Sequence, residues 1–179
     1  RDEIIKFADH RGDSLKLAQF AANNTMAEYI IFCGVHFMAE TACILSNSNQ
    51  SVYLPNITAG CSMSDMANID DVTDCYDDLV SFSAGKRVVP VTYMNSAASI
   101  KALCGKNGGI VCTSSNALSA LKWAFERGDQ VLFLPDQHLG RNTGAKMGIS
   151  LDEMKVWNPF KPLGGLEPDD IHRAKIILW

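Results

Sequence analysis

The chain has no pair of cysteines at the two-residue spacing of zinc ribbons or redox motifs, and no tight cysteine cluster anywhere. It has no apolar run approaching the roughly 18–20 residues that span a bilayer. No charged stretch followed by an apolar one marks a secretory leader. Basic residues are not in excess: the net charge is −4, which excludes the electrostatic footprint of a nucleic-acid binder. The first residue is Arg1, not Met, so a segment upstream is expected. These absences leave a chain with no membrane and no nucleic-acid partner, placed by expectation in the cytoplasm.

What is present is apolar content of 47% over 179 residues, enough for a substantial core without disulfide staples. The six cysteines (Cys33, Cys43, Cys61, Cys75, Cys104 and Cys112) therefore read first as small hydrophobes in a reducing compartment. Near-continuous apolar segments recur: Glu28 to Cys33, Ser51 to Leu54, Lys86 to Tyr93, Ile110 to Cys112, Gln130 to Leu134 and Lys175 to Trp179. Strands covered on both faces read this way. Pro90 inside the third segment predicts an edge position or a bulge. Helical spacing fills the intervals, clearest at Ala117, Leu118, Leu121, Ala124 and Phe125. Asp13 or Ser14 is suited to cap a helix starting near Leu15. Met147 to Pro168, with three prolines and a Gly-Gly pair, reads as loop or insertion. The alternation predicts an α/β fold with parallel sheets.

Two segments repeat. SVYLPNITAG (Ser51–Gly60) matches VLFLPDQHLG (Val131–Gly140), and the strand ending at Cys33 matches the one ending at Cys112. The order strand, turn, helix, strand, Leu-Pro recurs at about eighty residues, as expected for duplicated Rossmann-like α/β/α units. The expected domains are residues 1–78, incomplete at the N-terminus, and residues 79–174 with an insertion at 147–174. Residues 175–179 would open a third repeat. Polar clusters follow the strands, where ligands of such sheets bind. They are His36; Asn56, Thr58 and Cys61; Tyr93 and Asn95; Ser114, Ser115 and Asn116; and Asp136, Gln137 and His138. With the strand ends converging, one pocket would collect them.

Taken alone, each candidate has an ordinary explanation. Ser14 and Ser114 begin helices, where a hydroxyl caps the free amides, but where anions also bind. Tyr93 and Asn95 alternate at a strand end and so face one side. Cys61 is a lone cysteine in a loop, and His36 a lone histidine. His10, His172 and the acidic run from Asp70 to Asp78 read as solvated surface.

Several stretches together are more specific. GDSLKLA (Gly12–Ala18), FCGVHFMAETA (Phe32–Ala42), LPNITAGCSMSDM (Leu54–Met66), VTYMNSAASIKA (Val91–Ala102), VCTSSNA (Val111–Ala117) and LPDQHLGRNTG (Leu134–Gly144) resemble quinolinate synthase over essentially the whole chain. The segment WNPFKPLGGL (Trp157–Leu166) resembles one branch of that family. The resemblance implies three similar domains in a pseudo-threefold arrangement around one active site. It implies a [4Fe–4S] cluster held by three cysteines, one per domain, with an open iron acting as Lewis acid. The implied reaction condenses iminoaspartate with dihydroxyacetone phosphate to quinolinate in NAD biosynthesis, and an oxidase or dehydrogenase would supply the iminoaspartate. Position by position, Cys61 becomes the cluster ligand. Ser14, Met38, His36, Tyr93, Asn95 and Ser114 become substrate contacts, with Tyr93 also assisting proton transfer and Thr113 or Ser115 assisting Ser114. The family's N-terminal His-x-Tyr strand and its other two cluster cysteines are not in this sequence, so the chain alone is expected to be inactive. Two alternatives stay open: a non-catalytic phosphate-binding α/β module, and a different iron–sulfur hydro-lyase.

Overall fold

A computed structural model describes residues 3–179. The chain divides into two compact units, Arg1–Cys61 and Ser62–Trp179. Among the described residues no helix is long and apolar enough to cross a membrane.

In the first unit, a short 3-10 turn at Ile4–Phe7 precedes α1 (Ser14–Asn23), β1 (Tyr29–Ile31), α2 (His36–Leu45) and β2 (Ser51–Tyr53). Asp13, not Ser14, caps α1: its carboxylate accepts from the Lys16 N–H at 2.9 Å. The strands pair in parallel, Tyr29 to Ser51 and Ile31 to Tyr53. Ala18, Ala21, Phe32, Ala39 and Ala42 form the core, with Ile30 and Val52 packed against it. Small residues on both helices let α1 and α2 approach over that face. The expectation that this strand is buried on both faces is corrected here. Tyr29, Ile31 and Tyr53 on the other face are exposed. Cys33, expected in the core, is also exposed. The strand ends at Ile31, and the Gly34 N–H turns back to the Phe32 carbonyl at 2.9 Å. The turn buries Phe32 and leaves Cys33 outside.

The second unit carries α3 (Ile69–Phe82), β3 (Val88–Tyr93), α4 (Ala98–Lys106), β4 (Ile110–Cys112), α5 (Ala117–Phe125), β5 (Gln130–Leu134), α6 (Gln137–Lys146), β6 (Met154–Val156), α7 (Pro168–Arg173) and β7 (Ile176–Leu178). All five strands are parallel, in the order β4-β3-β5-β7-β6. One face is covered by residues of α3, α4 and α7, including Val72, Leu79, Ile100 and Ile171. The other is covered by α5, among them Ala117, Leu121 and Ala124. Phe133, Leu132, Ile176 and Leu178 between them are fully buried. This is the α/β architecture with parallel sheets that the apolar strands predict.

Three expectations change. The Lys175–Trp179 strand does not begin a new sheet; β7 lies between β5 and β6, with Val131 opposite Ile176 and Met154 opposite Ile176. An apolar strand shows that it is buried, but not beside which neighbour. The unit boundary falls at Cys61, not after residue 78, because α3 buries Val72, Cys75 and Leu79 in the second unit's core. Pro90 occupies a strand with a neighbour on each side. In a parallel ladder, N–H groups alternate between neighbours, and Arg87 faces β5, so the missing N–H of Pro90 faces β4. The pairing of β4 starts only at Val91, so no bond is lost there.

The insertion is ordered around β6. Lys175 pairs with Glu153 at 2.8 Å and Lys155 with Asp170 at 3.0 Å. The hydrogen bonds from Lys175 and Ser150 hold the Glu153 carboxyl below the usual carboxylate range. Trp157 is buried, and its indole lies so close beneath Gly164 that no side chain fits there; Gly164 also has a positive φ of 64°.

Candidate functional site

In the first unit His36 and Met38 lie on the first turn of α2, beside the loop that leads to Cys61. β2 ends at Tyr53, and the following loop is shaped by Asn56, whose carboxamide oxygen accepts from the Thr58 N–H at 3.0 Å and hydroxyl at 2.8 Å. That turn leads through Ala59 and Gly60 to Cys61. The His36 N–H donates to the Ala59 carbonyl at 2.8 Å, so the first residue of α2 is tied to the backbone two residues before Cys61. Met38, on the same first turn, is half-buried, and its methyl group lies beside Gly34. Ser14 is the half-buried first residue of α1, one position after the capping Asp13.

The second unit brings its own candidates to one end of its sheet. Tyr93 is the last residue of β3 and stands opposite Cys112, the last of β4. The Met94 N–H donates to the Cys112 carbonyl at 2.8 Å, continuing the ladder past the strand end. Buried Ser96 locks the turn that carries Asn95: its hydroxyl donates to the Tyr93 carbonyl at 2.8 Å and accepts from Thr92 at 3.0 Å. The Lys101 ammonium also donates to the Ser96 carbonyl. Across on β4, the Thr113 N–H donates to the Asn116 side chain at 2.6 Å, and the Thr113 and Ser115 hydroxyls are 2.9 Å apart. Asn116 therefore binds backward and makes no side-chain cap on α5. Ser114 is exposed at the opening of that helix. Tyr93, Asn95 and Ser114 thus sit at neighbouring strand ends. Asp136 has a structural task, accepting from the His138 and Leu139 N–H groups at 2.9 and 3.1 Å to cap α6. Gln137 accepts from Arg141 at 2.9 Å.

The cysteines separate by environment. Cys75, Cys104 and Cys112 are buried, and burial raises all three thiols, Cys104 and Cys112 to about 12. Each of the three is packed into an apolar core. Cys61 is half-buried at a loop end and Cys33 and Cys43 are exposed. Among the described residues, no group of three or more His, Cys, Asp or Glu side chains is placed to hold a metal ion. Cys61 fits as one donor to a cluster; the described residues do not complete a set.

A family model described as quinolinate synthetase A protein matches residues 1–179. This chain belongs to the quinolinate synthetase A family. It is similar to the quinolinate synthase of Corynebacterium glutamicum, with 59% identity over 179 residues, all of this chain and 45% of that protein. The quinolinate synthase of a Nocardioides species is 59% identical over 186 aligned residues, covering all of this chain and 47% of that protein. That of Geobacillus kaustophilus is 54% identical over 180, covering 48% of that protein. The chain therefore spans less than half the length of these curated relatives. Sequence reasoning missed the bond from His36 to the Ala59 carbonyl, which no side-chain pattern reports. It also missed the pairing of His36 with Glu40, for which the i,i+4 spacing was a readable signal.

Proposed function

We propose that this chain forms part of a quinolinate synthase that condenses iminoaspartate with dihydroxyacetone phosphate, losing phosphate and water. The observation that carries this reading is the match of the whole chain to the quinolinate synthetase A family at up to 59% identity. Supporting it, the family-like stretches lie at strand ends and helix starts, where the chemistry of anion binding belongs.

Both substrates are anionic. Ser114 and the uncapped start of α5 bind one phosphate or carboxylate, with Thr113 and Ser115 shaping the turn. Ser14 at the start of α1 does the same in the first unit. Tyr93 holds or moves a proton through its phenol, and Asn95, fixed by Ser96, orients a substrate oxygen. Met38 and His36 line the binding surface of the first unit. Cys61 is the ligand this chain gives to a [4Fe–4S] cluster. When bound, an open iron of such a cluster supplies Lewis acidity toward substrate oxygens. The free thiols suit a reducing cytoplasm. An oxidase or dehydrogenase that makes iminoaspartate is the functional partner.

The full-length protein, assayed anaerobically with both substrates, is expected to form quinolinate. Iron without product would favour another iron–sulfur hydro-lyase, and neither iron nor product a phosphate-binding module. In the same assay Ser114→Ala is expected to raise KM about tenfold, the loss of one hydrogen bond to a charged group, with iron content unchanged. An unaltered KM would remove Ser114 from the site.

A further inference from the structure

β5 stops short of the end of β3. Its pairing finishes with Leu134 opposite Thr92, whereas β4 continues to Cys112 opposite Tyr93. Backbone groups in a parallel ladder alternate between neighbours. The Met94 N–H donates to β4, so the Tyr93 carbonyl points to the β5 side, past the last paired residue of that strand. The Ser96 hydroxyl supplies the donor there, at 2.8 Å. The Thr92 hydroxyl in turn donates to Ser96 Oγ at 3.0 Å, with the Tyr93 carbonyl farther off at 3.3 Å. Ser96 also closes the turn through its backbone. Its N–H donates to the Met94 carbonyl at 2.9 Å, and its carbonyl accepts from the Lys101 ammonium. Asn95 lies between these ties. Thr92 and Ser96 are both fully buried, so bulk water has no access to replace a lost bond.

We infer that the Thr92–Ser96 hydroxyl pair stands in for the missing end of β5: Ser96 is a positioning residue that fixes Asn95 beyond the strand, and Thr92 supports it through Ser96 Oγ. This rests on the proposed function for Asn95 as a substrate contact. The pair does for the turn what a neighbouring strand does for a ladder, and it sets the Asn95 backbone before any ligand arrives.

The test is steady-state kinetics on the full-length protein, with iron content measured alongside. Ser96→Ala is expected to lower kcat/KM by about 10- to 100-fold at unchanged iron content, the scale of a contact misplaced by about 1 Å. Asn95→Ala should lose at least as much. Thr92→Val keeps the shape and removes the hydroxyl, so it should cause a smaller loss, and Thr92→Ser should restore most of it. In the Asn95→Ala background, adding Ser96→Ala should change kcat/KM by less than about twofold, because the residue through which Ser96 acts is already gone. Ser96→Ala at wild-type rates, beside a crippled Asn95→Ala, would overturn the inference. So would a Ser96→Ala loss undiminished in the Asn95→Ala background, since that marks a general structural role. Asn95→Ala at wild-type rates would sink the proposed role of Asn95, and this inference with it. Should Ser96→Ala fail to fold, Thr92→Val carries the same comparisons with the same outcomes.

Discussion

Cys61→Ser in the full-length protein is expected to strip the bound iron and sulfide and drop quinolinate formation to background. The expectation follows from how the six thiols are housed. A cluster is held by thiolates. Cys75, Cys104 and Cys112 are each packed into an apolar core. Cys61 ends a loop braced by Asn56 at one side and by His36 at the other, so its backbone is held while its side chain remains partly accessible. Serine keeps nearly the same shape and removes only the soft donor. Cys33→Ser and Cys43→Ser, both at exposed positions, are the matched controls and should keep iron and activity. Cys112→Ser should behave in the opposite way to Cys61→Ser. It places a hydroxyl in a core lined by Val91, Leu121 and Phe133, so it should lower stability and retain iron. A Cys61→Ser protein with a normal iron and sulfide content would end the assignment of this residue, whatever its activity.

Much of this arrangement was readable in the sequence because each signal was local. The strand at Gln130–Leu134 announces itself by five apolar or buried positions stopped by Pro135, and it folds as β5 at those bounds. Asp13 caps α1 because a short carboxylate stands just before its helical pattern. The failures are failures of neighbourhood. Nothing in KIILW tells whether the strand starts a sheet or fills one; only the register with Val131 and Met154 decides it. The repeat has the same limit. Cys33 and Cys112 occupy matched positions, yet Cys112 is buried beneath α5 and Cys33 is exposed on a turn. In the first unit β1 pairs directly with β2, whereas their matched strands β4 and β5 are separated by β3. Similar segments therefore meet different partners, and burial follows the partner. The strand β6 was hidden for a related reason: Met154–Val156 is short, and its burial comes from β7 and from the flanking ion pairs, not from its own apolar content. Among the site candidates, only the family resemblance singled out Ser114, Tyr93 and Asn95; residue type and spacing alone left them as a helix cap and strand-end surface residues. The backbone bond that fixes His36 carries no mark in the sequence.

Gly140→Val is expected to be among the most damaging single changes away from the site, for a reason that the helical pattern of α6 alone does not give. α6 lies on the sheet through Gly140 and Gly144, and the approach is closer than any side chain permits. A Cβ at Gly140 would stand 2.6 Å from Leu178 Cδ2 and 2.7 Å from Phe133 Cδ1. Both neighbours are fully buried, on β7 and β5, so neither has space to retreat into. Leu178 could turn its terminal methyl, but the Phe133 ring is held in the core between the sheet and the helices α5 and α6. Valine adds three carbons at this contact. Overpacking of this kind costs about 3 kcal/mol, which for a domain of this size lowers the thermal midpoint by about 6–12 °C. The gain in helix propensity from replacing glycine, about 1 kcal/mol at best, does not offset it. Gly105 supplies the contrast. It lies inside α4, and nothing stands within 4 Å of a Cβ placed there. Gly105→Ala should therefore raise the midpoint by a few degrees. Calorimetry on the full-length protein checks both. Equal shifts in the two variants would mean that helix propensity, not contact with β5 and β7, governs α6, and would undo this account of how the helix is seated.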